Sequence, residues 1–168
     1  MPAPGPSLAS ATLPRVWQGI GYRPLPDTAR ARPLFDFAAV PWPETAAPAF
    51  CWGAHAAQPT GERLVAAVVA ERADRALTLY GPVVAVDTAD ALEVAAQLVA
   101  AAVDHATALG VETVFARPQG LDRVWIRYGF IPVPETALPA ALAGRPGAGL
   151  YAWRGGSALW TFREPVRA

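Results

Sequence analysis

The chain has 168 residues, and its 14 basic and 14 acidic side chains give a formal net charge of zero. This length supports one domain with a sizeable core, and the lack of a clustered basic excess argues against a nucleic-acid-binding protein. A single cysteine excludes an intramolecular disulfide, no Cys/His spacing resembles a metal site, and no apolar run is long enough to span a bilayer. The N-terminus lacks the features of a secretory signal. We therefore expect a cytoplasmic protein with no metal and no nucleic-acid or membrane partner.

The first part of the chain predicts an unstructured segment followed by a strand. Residues 1–13 are rich in Pro, Ala and Gly and are expected to be disordered, which leaves 14–168 as a single domain. Apolar and aromatic residues after Arg15 predict a first strand that ends at Pro24. A short helix and a buried strand fragment are expected next, at 27–38 and 50–52.

Two apolar runs rich in β-branched residues then predict an antiparallel hairpin. They cover 63–71 and 76–86 and are joined by a short polar turn. Gly81-Pro82 interrupts the second run. Because proline cannot donate to a strand ladder, we expect a bulge or a splay at this point.

A long helix is predicted from Ala91 to Leu109, because apolar residues recur there at helical spacing and Gly110 follows as a C-terminal cap. The strand after it should run parallel to its predecessor through a right-handed crossover. The remaining elements are a strand, a short helix, a proline-limited edge strand and two last strand candidates, at 111–116, 121–128, 130–134, 149–154 and 157–162.

This order of elements resembles the GNAT superfamily of acyl-CoA-dependent N-acyltransferases. The residues that carry the resemblance are ATALGVETVFA, which looks like the family's helix end and following strand, and RVWIRYGF, which looks like its short helix closing in Gly-Phe. The resemblance covers about Arg63 to Pro134. It implies an α/β fold (α+β in stricter schemes), with a mixed, mostly antiparallel sheet and helices on both faces. It also implies acyl transfer from acetyl-CoA or another acyl-CoA to a small-molecule or peptide amine, and it leaves a homodimer open.

The resemblance also implies where acyl-CoA would lie. In the family, the strand before the long helix separates from its neighbour, and the pyrophosphate rests on a Gly-rich turn. This would bring Val84, Val86, Asp90 and Trp125 to the cofactor. The turn departs from the family pattern, because it has no Gly and no Arg and carries three carboxylates. Asp90 and Glu93 have capping-box spacing, so their side chains are expected to satisfy the amides that a phosphate would bind.

The resemblance leaves the catalytic residues less defined. GNAT enzymes often use a Tyr four residues before the closing Gly to protonate the thiolate leaving group. Trp125 stands four residues before Gly129, and an indole N–H is not a titrating acid. Tyr128 in the same helix and Glu71 at a strand end remain as catalytic candidates. Each also has a simpler interpretation, as a packed ring and a solvated carboxylate respectively.

Two functions therefore remain open. The first is an N-acyltransferase with a non-standard donor site, and this enzyme assignment rests on analogy alone. The second is a GNAT-fold protein without acyl-CoA chemistry that acts as a binding or assembly module. Arg117, Arg123 and Arg127 either form an anion site or belong to a solvated face. The remaining candidates for chemistry are expected to be structural: His55, His105 and Cys51.

Overall fold

The structure, a computed structural model, describes residues 7–45 and 47–155. Within those ranges it has four α-helices and eight strands. The helices are α1 (Leu8–Ala11), α2 (Arg32–Phe37), α3 (Ala91–Ala108) and α4 (Asp122–Arg127). The strands are β1 (Arg15–Trp17), β2 (Ile20–Pro24), β3 (Phe50–Gln58), β4 (Gly61–Ala73), β5 (Ala76–Val84), β6 (Thr113–Ala116), β7 (Ile131–Pro132) and β8 (Tyr151–Arg154). Short 3-10 turns lie at Thr28–Ala31, Glu135–Ala137 and Ala140–Leu142.

All eight strands form one sheet, in the order β1-β2-β3-β4-β5-β6-β8-β7. The pair β5–β6 is parallel, because α3 carries the chain across the sheet between them, and the other pairs are antiparallel. The proline-limited strand β7 lies at the sheet edge, as predicted. The predicted mixed, mostly antiparallel sheet is therefore confirmed.

Helices cover both faces of this sheet because β4 is apolar on both sides. Val68 faces the cluster that includes Val94 and Leu98 of α3, whereas Val69 faces Phe35 of α2. Successive residues of a strand point to opposite faces, so a continuous apolar run can support two layers. The sheet with helices on both faces agrees with the predicted fold class.

The N-terminal prediction is wrong for part of the segment 1–13. Residues 8–11 form α1, whose first turn is capped by the Ser7 side chain accepting from the backbone N–H of Ser10. Ala11 is buried, and the helix packs on α3. Composition alone missed this contact, because a helix of four residues is too short to be stable by itself and is stabilised here by tertiary packing. Residues 1–6 and the strand candidate 157–162 lie outside the described residues.

Two strand predictions differ from the structure in extent. The segment from Arg15 to Pro24 is a hairpin of β1 and β2, because Gln18 and Gly19 both have positive φ and reverse the chain. The fragment predicted at 50–52 is the beginning of β3, which continues to Gln58 between β2 and β4. Its alanines carry little strand propensity, so their conformation is fixed by the two neighbouring strands.

A buried indole–imidazole pair links β3 to α3. The indole N–H of Trp52 donates to Nδ1 of His105 at 2.9 Å, and the imidazole stacks on Phe50 with ring centroids 4.1 Å apart. Burial lowers the pKa of His105 below its ordinary value. The donated N–H also requires Nδ1 to stay unprotonated, so the folded protein favours the neutral ring.

We expect the pH dependence of stability to report this pair. Because the pKa of His105 is lower in the folded than in the unfolded state, the unfolded chain takes up the proton first. The free energy of unfolding should therefore decrease as the pH falls below about 6.5, the ordinary histidine value. In the His105→Gln variant the amide oxygen can still accept from Trp52 but does not titrate. Thermal unfolding between pH 8 and 5 should show a smaller loss of Tm in this variant; equal losses would contradict the prediction.

Candidate functional site

A gap opens in the sheet where β5 and β6 separate. β6 pairs only with residues Ala76–Leu79 of β5, and the chain turns away after Ala116. On the β6 side of β5, the edge from Tyr80 to Val84 therefore has no neighbouring strand. The predicted splay of the strand before the long helix agrees with this geometry.

The gap continues as a cleft made of two adjoining cavities that share Val40, Pro41 and Gln119. The larger cavity has a volume of about 640 Å³ and an apolar wall, which includes Val84 of β5 and Leu92 of α3. The smaller cavity, of about 180 Å³, is lined by aromatic and charged side chains. The cleft thus runs from the beginning of α3 to a polar end, lined by Trp42, Glu44, Tyr80, Arg117 and Arg145.

A bulge in β5 shapes the middle of this cleft. Ala67 pairs with Val83 and Val69 pairs with Tyr80, so Gly81 and Pro82 together oppose the single residue between them on β4. Gly81 has φ +92, and a Cβ there would lie 2.9 Å from the backbone N of Val83. Only glycine fits this position, which explains the interruption seen in the sequence.

The polar end of the cleft contains a hydrogen-bonded cluster of Glu71, Tyr80 and Arg145. Arg145 Nη2 lies 2.7 Å from Glu71 Oε2, and Arg145 Nε lies 3.2 Å from both Glu71 Oε1 and the Tyr80 hydroxyl oxygen. The Tyr80 hydroxyl also donates to Glu71 Oε1. The Glu71 side chain is 15% exposed and that of Arg145 33%. We call these three residues the carboxylate cluster.

The charges in the carboxylate cluster are well defined. Burial by itself raises the pKa of Glu71, but hydrogen bonds from Arg145 and Tyr80 outweigh it and hold the pKa below its usual value. Burial and the hydrogen bond to Glu71 raise the pKa of Tyr80 to about 12. At neutral pH the cluster therefore offers an anionic acceptor of protons beside a phenol that retains its proton. Such a pair can accept a proton from an amine and donate one to a leaving group.

Arg117 fixes the loop that carries Arg145. Its side chain is buried, forms an ion pair with Glu135, and donates to the carbonyl of Gly149 at 2.9 Å and to that of Arg145 at 3.5 Å. Of the three candidate arginines for an anion site, Arg117 is thus matched by a carboxylate. Arg127 donates to Glu93 and Arg123 is exposed. This arrangement favours the structural interpretation of the three arginines.

The beginning of α3 differs from the prediction. The expected capping box is wrong, because Asp90 makes no side-chain cap and adopts a left-handed conformation with φ 52 and ψ 42. Glu93 instead accepts from Arg127, and Asp87 pairs with Arg63 at 2.9 and 3.1 Å. The first amides of α3 are consequently not occupied by a capping side chain, and two of the three acidic residues are neutralised by arginine.

The four predicted cofactor residues lie in three different environments. Val84 lines the larger cavity, and Asp90 immediately precedes the helix that borders it. Val86 is 99% exposed and borders a further cavity beside α2. Trp125 is fully buried, and its indole N–H donates to the carbonyl of Pro118 at 3.0 Å. The Trp125 side chain is therefore core and is not accessible to a cofactor.

The structure separates the two predicted catalytic residues. Tyr128 packs on the α3 side of the sheet, and the charges that affect its pKa are Arg127, Glu93, Arg15 and Asp104. Glu71 pairs with Thr78 in the β4–β5 ladder and points to the opposite side, toward Tyr80 and Arg145. The two candidates therefore lie on opposite faces of the sheet.

Sequence reasoning missed Tyr80 and Arg145. The hairpin register would have found Tyr80, because Glu71 pairs with Thr78 and residues two apart on a strand share a face. Arg145 had no comparable signal, since it lies in a Gly- and Pro-rich loop where periodicity carries no information.

The structure agrees with the structural interpretation of Cys51. Cys51 is buried, and burial raises the pKa of its thiol to about 12. Among residues 7–45 and 47–155, no group of His, Cys, Asp and Glu could hold a metal ion. In the same ranges, no helix combines the length and the apolar character needed to cross a membrane.

Comparison with known proteins identifies the fold. No protein-family model and no curated protein matches the chain. A GNAT-family acetyltransferase from Staphylococcus aureus MU50 matches with a TM-score of 0.53 and 13% identity, over 62% of this chain and 66% of that one. Ribosomal-protein-S18-alanine N-acetyltransferase from Escherichia coli matches with a TM-score of 0.57 and 16% identity, over 80% of this chain and 93% of that one.

N-acetylglutamate synthase from Neisseria gonorrhoeae, solved with coenzyme A and N-acetyl-glutamate, also matches. Its TM-score is 0.58 at 14% identity, and the match covers 83% of this chain but 35% of the synthase. The chain thus spans about two thirds of the S. aureus protein and about one third of the synthase. At such identities the likeness concerns the fold, and the fold of this chain is that of the GNAT acetyltransferases.

Proposed function

We propose that this protein is an N-acyltransferase that takes an acyl group from acyl-CoA and transfers it to an amine at the carboxylate cluster. The observation that carries the proposal is the continuous cleft from the beginning of α3, along the open edge of β5, to Glu71 and Tyr80. A cleft with an apolar wall and a few convergent polar groups is the usual form of a small-molecule site.

The residues along the cleft fit the parts of acyl-CoA. The apolar wall at Val84 and Leu92 suits the pantetheine arm, and the free edge of β5 offers backbone groups for its amides. The uncapped first turn of α3 offers amides and a positive helix end to a pyrophosphate. Asp90 is the feature that opposes this fit, because the described contacts give it no ion pair. The N. gonorrhoeae structure with coenzyme A supports a donor site of this kind on the same fold.

The carboxylate cluster supplies the proton transfers that the reaction needs. Acyl-CoA, when bound, supplies a thioester whose carbonyl carbon an amine can attack, with formation of a C–N bond and loss of the thiolate. Glu71 accepts the proton that the amine gives up. Tyr80 holds a proton at its hydroxyl and donates it toward the sulfur. No oxidant or metal is needed for this step.

The alternative function, a binding module without acyl-CoA chemistry, is favoured by two specific observations. Trp125 occupies the position of the family's Tyr and is buried, and Asp90 places a negative charge at the beginning of α3. Calorimetric titration with coenzyme A and acetyl-CoA separates the two functions. Micromolar binding supports the transferase, and absence of binding by either compound favours the module.

A variant pair sharpens this test. Asp90→Gly should tighten coenzyme A binding about tenfold, because it removes the unpaired charge from the α3 turn. Asp74→Gly is the matched control: Asp74 also has positive φ, at 55, but lies in the β4–β5 turn. Both variants relieve the same kind of backbone strain, so their effects on Tm should be similar. Equal coenzyme A affinities in the two variants would show that the charge of Asp90 does not matter.

A further inference from the structure

We propose that the Arg145 side chain occupies the binding position of the acceptor substrate. The acceptor is then a positively charged amine, which displaces Arg145 from Glu71 and Tyr80 when it binds. The inference rests on the proposed acyl transfer and adds the class of its second substrate. It also assigns to the loop 143–149 the role of an internal occupant of the acceptor position.

The first support is the geometry of the contact. The guanidinium of Arg145 meets both carboxylate oxygens of Glu71 and the hydroxyl of Tyr80, at 2.7 to 3.2 Å. These groups line or adjoin the smaller cavity, which lies at the end of the cleft. A bound cation thus already sits where an amine would have to lie for Glu71 to accept its proton, and that cation belongs to the chain itself.

The second support is the character of the loop. Every residue from Ala143 to Gly149 is exposed except Arg145, whose side chain turns inward. Its long side chain and the neighbouring Pro146 are the parts of the loop that line the smaller cavity. Withdrawal of Arg145 would leave the rest of the loop on the surface, where it already lies, and would open the smaller cavity toward solvent.

The third support is the charge that withdrawal would expose. With Arg145 displaced, the charged residues that line the smaller cavity are Glu44 and Arg117, and Glu71 adjoins it through Tyr80. Arg117 is matched by Glu135 and Glu44 lies 4.0 Å from Arg32, which leaves the charge of Glu71 without a partner. The cavity then carries a net negative charge and attracts a cation. Trp42 and Tyr80 add aromatic faces, which also favour cations.

Displacement would also change Glu71 as a base. Its pKa is held down by Arg145 and Tyr80 against the effect of burial. Loss of the guanidinium removes part of that lowering, so Glu71 becomes more basic when an acceptor replaces Arg145. The ammonium nitrogen first transfers one proton to Glu71, which frees the lone pair that attacks the thioester carbonyl carbon. As the C–S bond breaks, Tyr80 protonates the thiolate and a second proton from the nitrogen restores the Tyr80 hydroxyl, while Glu71 releases its proton to solvent.

The test is a binding experiment with the full chain and a small dication. The probe is 1,5-diaminopentane, titrated by calorimetry at neutral pH and low salt. Arg145→Ala and Arg145→Gln should bind it about tenfold more tightly than the wild type, because Glu71 no longer has its internal partner. The double variant Arg145→Ala with Glu71→Gln should lose this gain. Arg75→Ala is the matched control, since it removes the Arg75–Glu112 ion pair, which lies away from the cleft.

The outcomes are distinct. Absence of the gain in both single variants, with circular dichroism showing them folded, would overturn the inference. Stronger binding of glutamate by the wild type than by Arg145→Gln would also overturn it, because Arg145 would then bind an acceptor carboxylate. Coenzyme A is titrated separately into each variant. If the variants bind coenzyme A normally but do not bind 1,5-diaminopentane more tightly, the proposed acceptor class is refuted and the transferase proposal is not. If they bind 1,5-diaminopentane more tightly but do not bind coenzyme A, the proposed transferase is refuted and the cation site remains.

Discussion

Replacing Glu71 by Gln should lower kcat by about one hundred- to ten-thousandfold, the usual contribution of a positioned general base. The amide keeps the shape of the side chain but neither accepts a proton nor carries a charge at neutral pH. Coenzyme A affinity should stay near the wild-type value, since Glu71 lies at the opposite end of the cleft from α3. The measurement is a steady-state assay with acetyl-CoA and a cationic amine, together with a coenzyme A titration.

The pH profile gives a second reading of the same change. The pKa of Glu71 is lower than usual, so the carboxylate is present at neutral pH and is lost only as the pH falls through that lowered value. The wild-type rate should therefore fall on the acidic side, and the Glu71→Gln rate should lack this limb. Tyr128→Phe is the control, because Tyr128 lies on the other face of the sheet. A larger loss in Tyr128→Phe than in Glu71→Gln would refute the assignment.

Trp125→Ala should lower the free energy of unfolding by about 3–5 kcal/mol, equivalent to roughly 6–20 °C in Tm. Trp125 is fully buried, its ring centroid lies 5.0 Å from that of Phe130, and its indole N–H is bonded to Pro118. Truncation therefore leaves a large cavity between α4 and the sheet. The measurement is chemical or thermal unfolding followed by circular dichroism.

An exposed aromatic residue provides the comparison for this variant. Phe37, at the end of α2, is 92% exposed, so Phe37→Ala should change stability by no more than about 0.5 kcal/mol. Comparable losses in the two variants would mean that Trp125 is not a core residue. The result bears on function too, because a core role for Trp125 removes it from the set of groups that could act on a leaving group.

The sequence predicted the fold well where periodic patterns are long. The apolar spacing of α3 gave its beginning at Ala91 and its end within one residue, at Ala108 instead of Leu109. The hairpin of β4 and β5 and the parallel β6 were also confirmed. The failures concern α1 and the second half of β3, where alanine-rich residues take their conformation from neighbouring elements. Local composition carries no record of those tertiary contacts.

The candidate site was predictable only in part, for a related reason. Glu71 and the splay of β5 follow from strand pattern, and the structure places both along the cleft. The capping box at Asp90 and Glu93 failed because Arg127, from a helix 34 residues away along the chain, binds Glu93 instead. Arg145 reaches Glu71 across 74 residues of sequence. Such pairings depend on the folded arrangement, which residue spacing does not encode.

The bulge in β5 has a consequence for how side chains are distributed along the cleft. In a regular strand, residues three apart point to opposite faces. Tyr80 and Val83 nevertheless belong to the same apolar layer beneath α2, because the extra residue resets the alternation between them. The two halves of β5 are thus out of phase by one position. If one residue were deleted at the bulge, either Tyr80 or Val83 would point to the α3 side of the sheet. The extra residue in β5 therefore determines that both side chains lie on the same side.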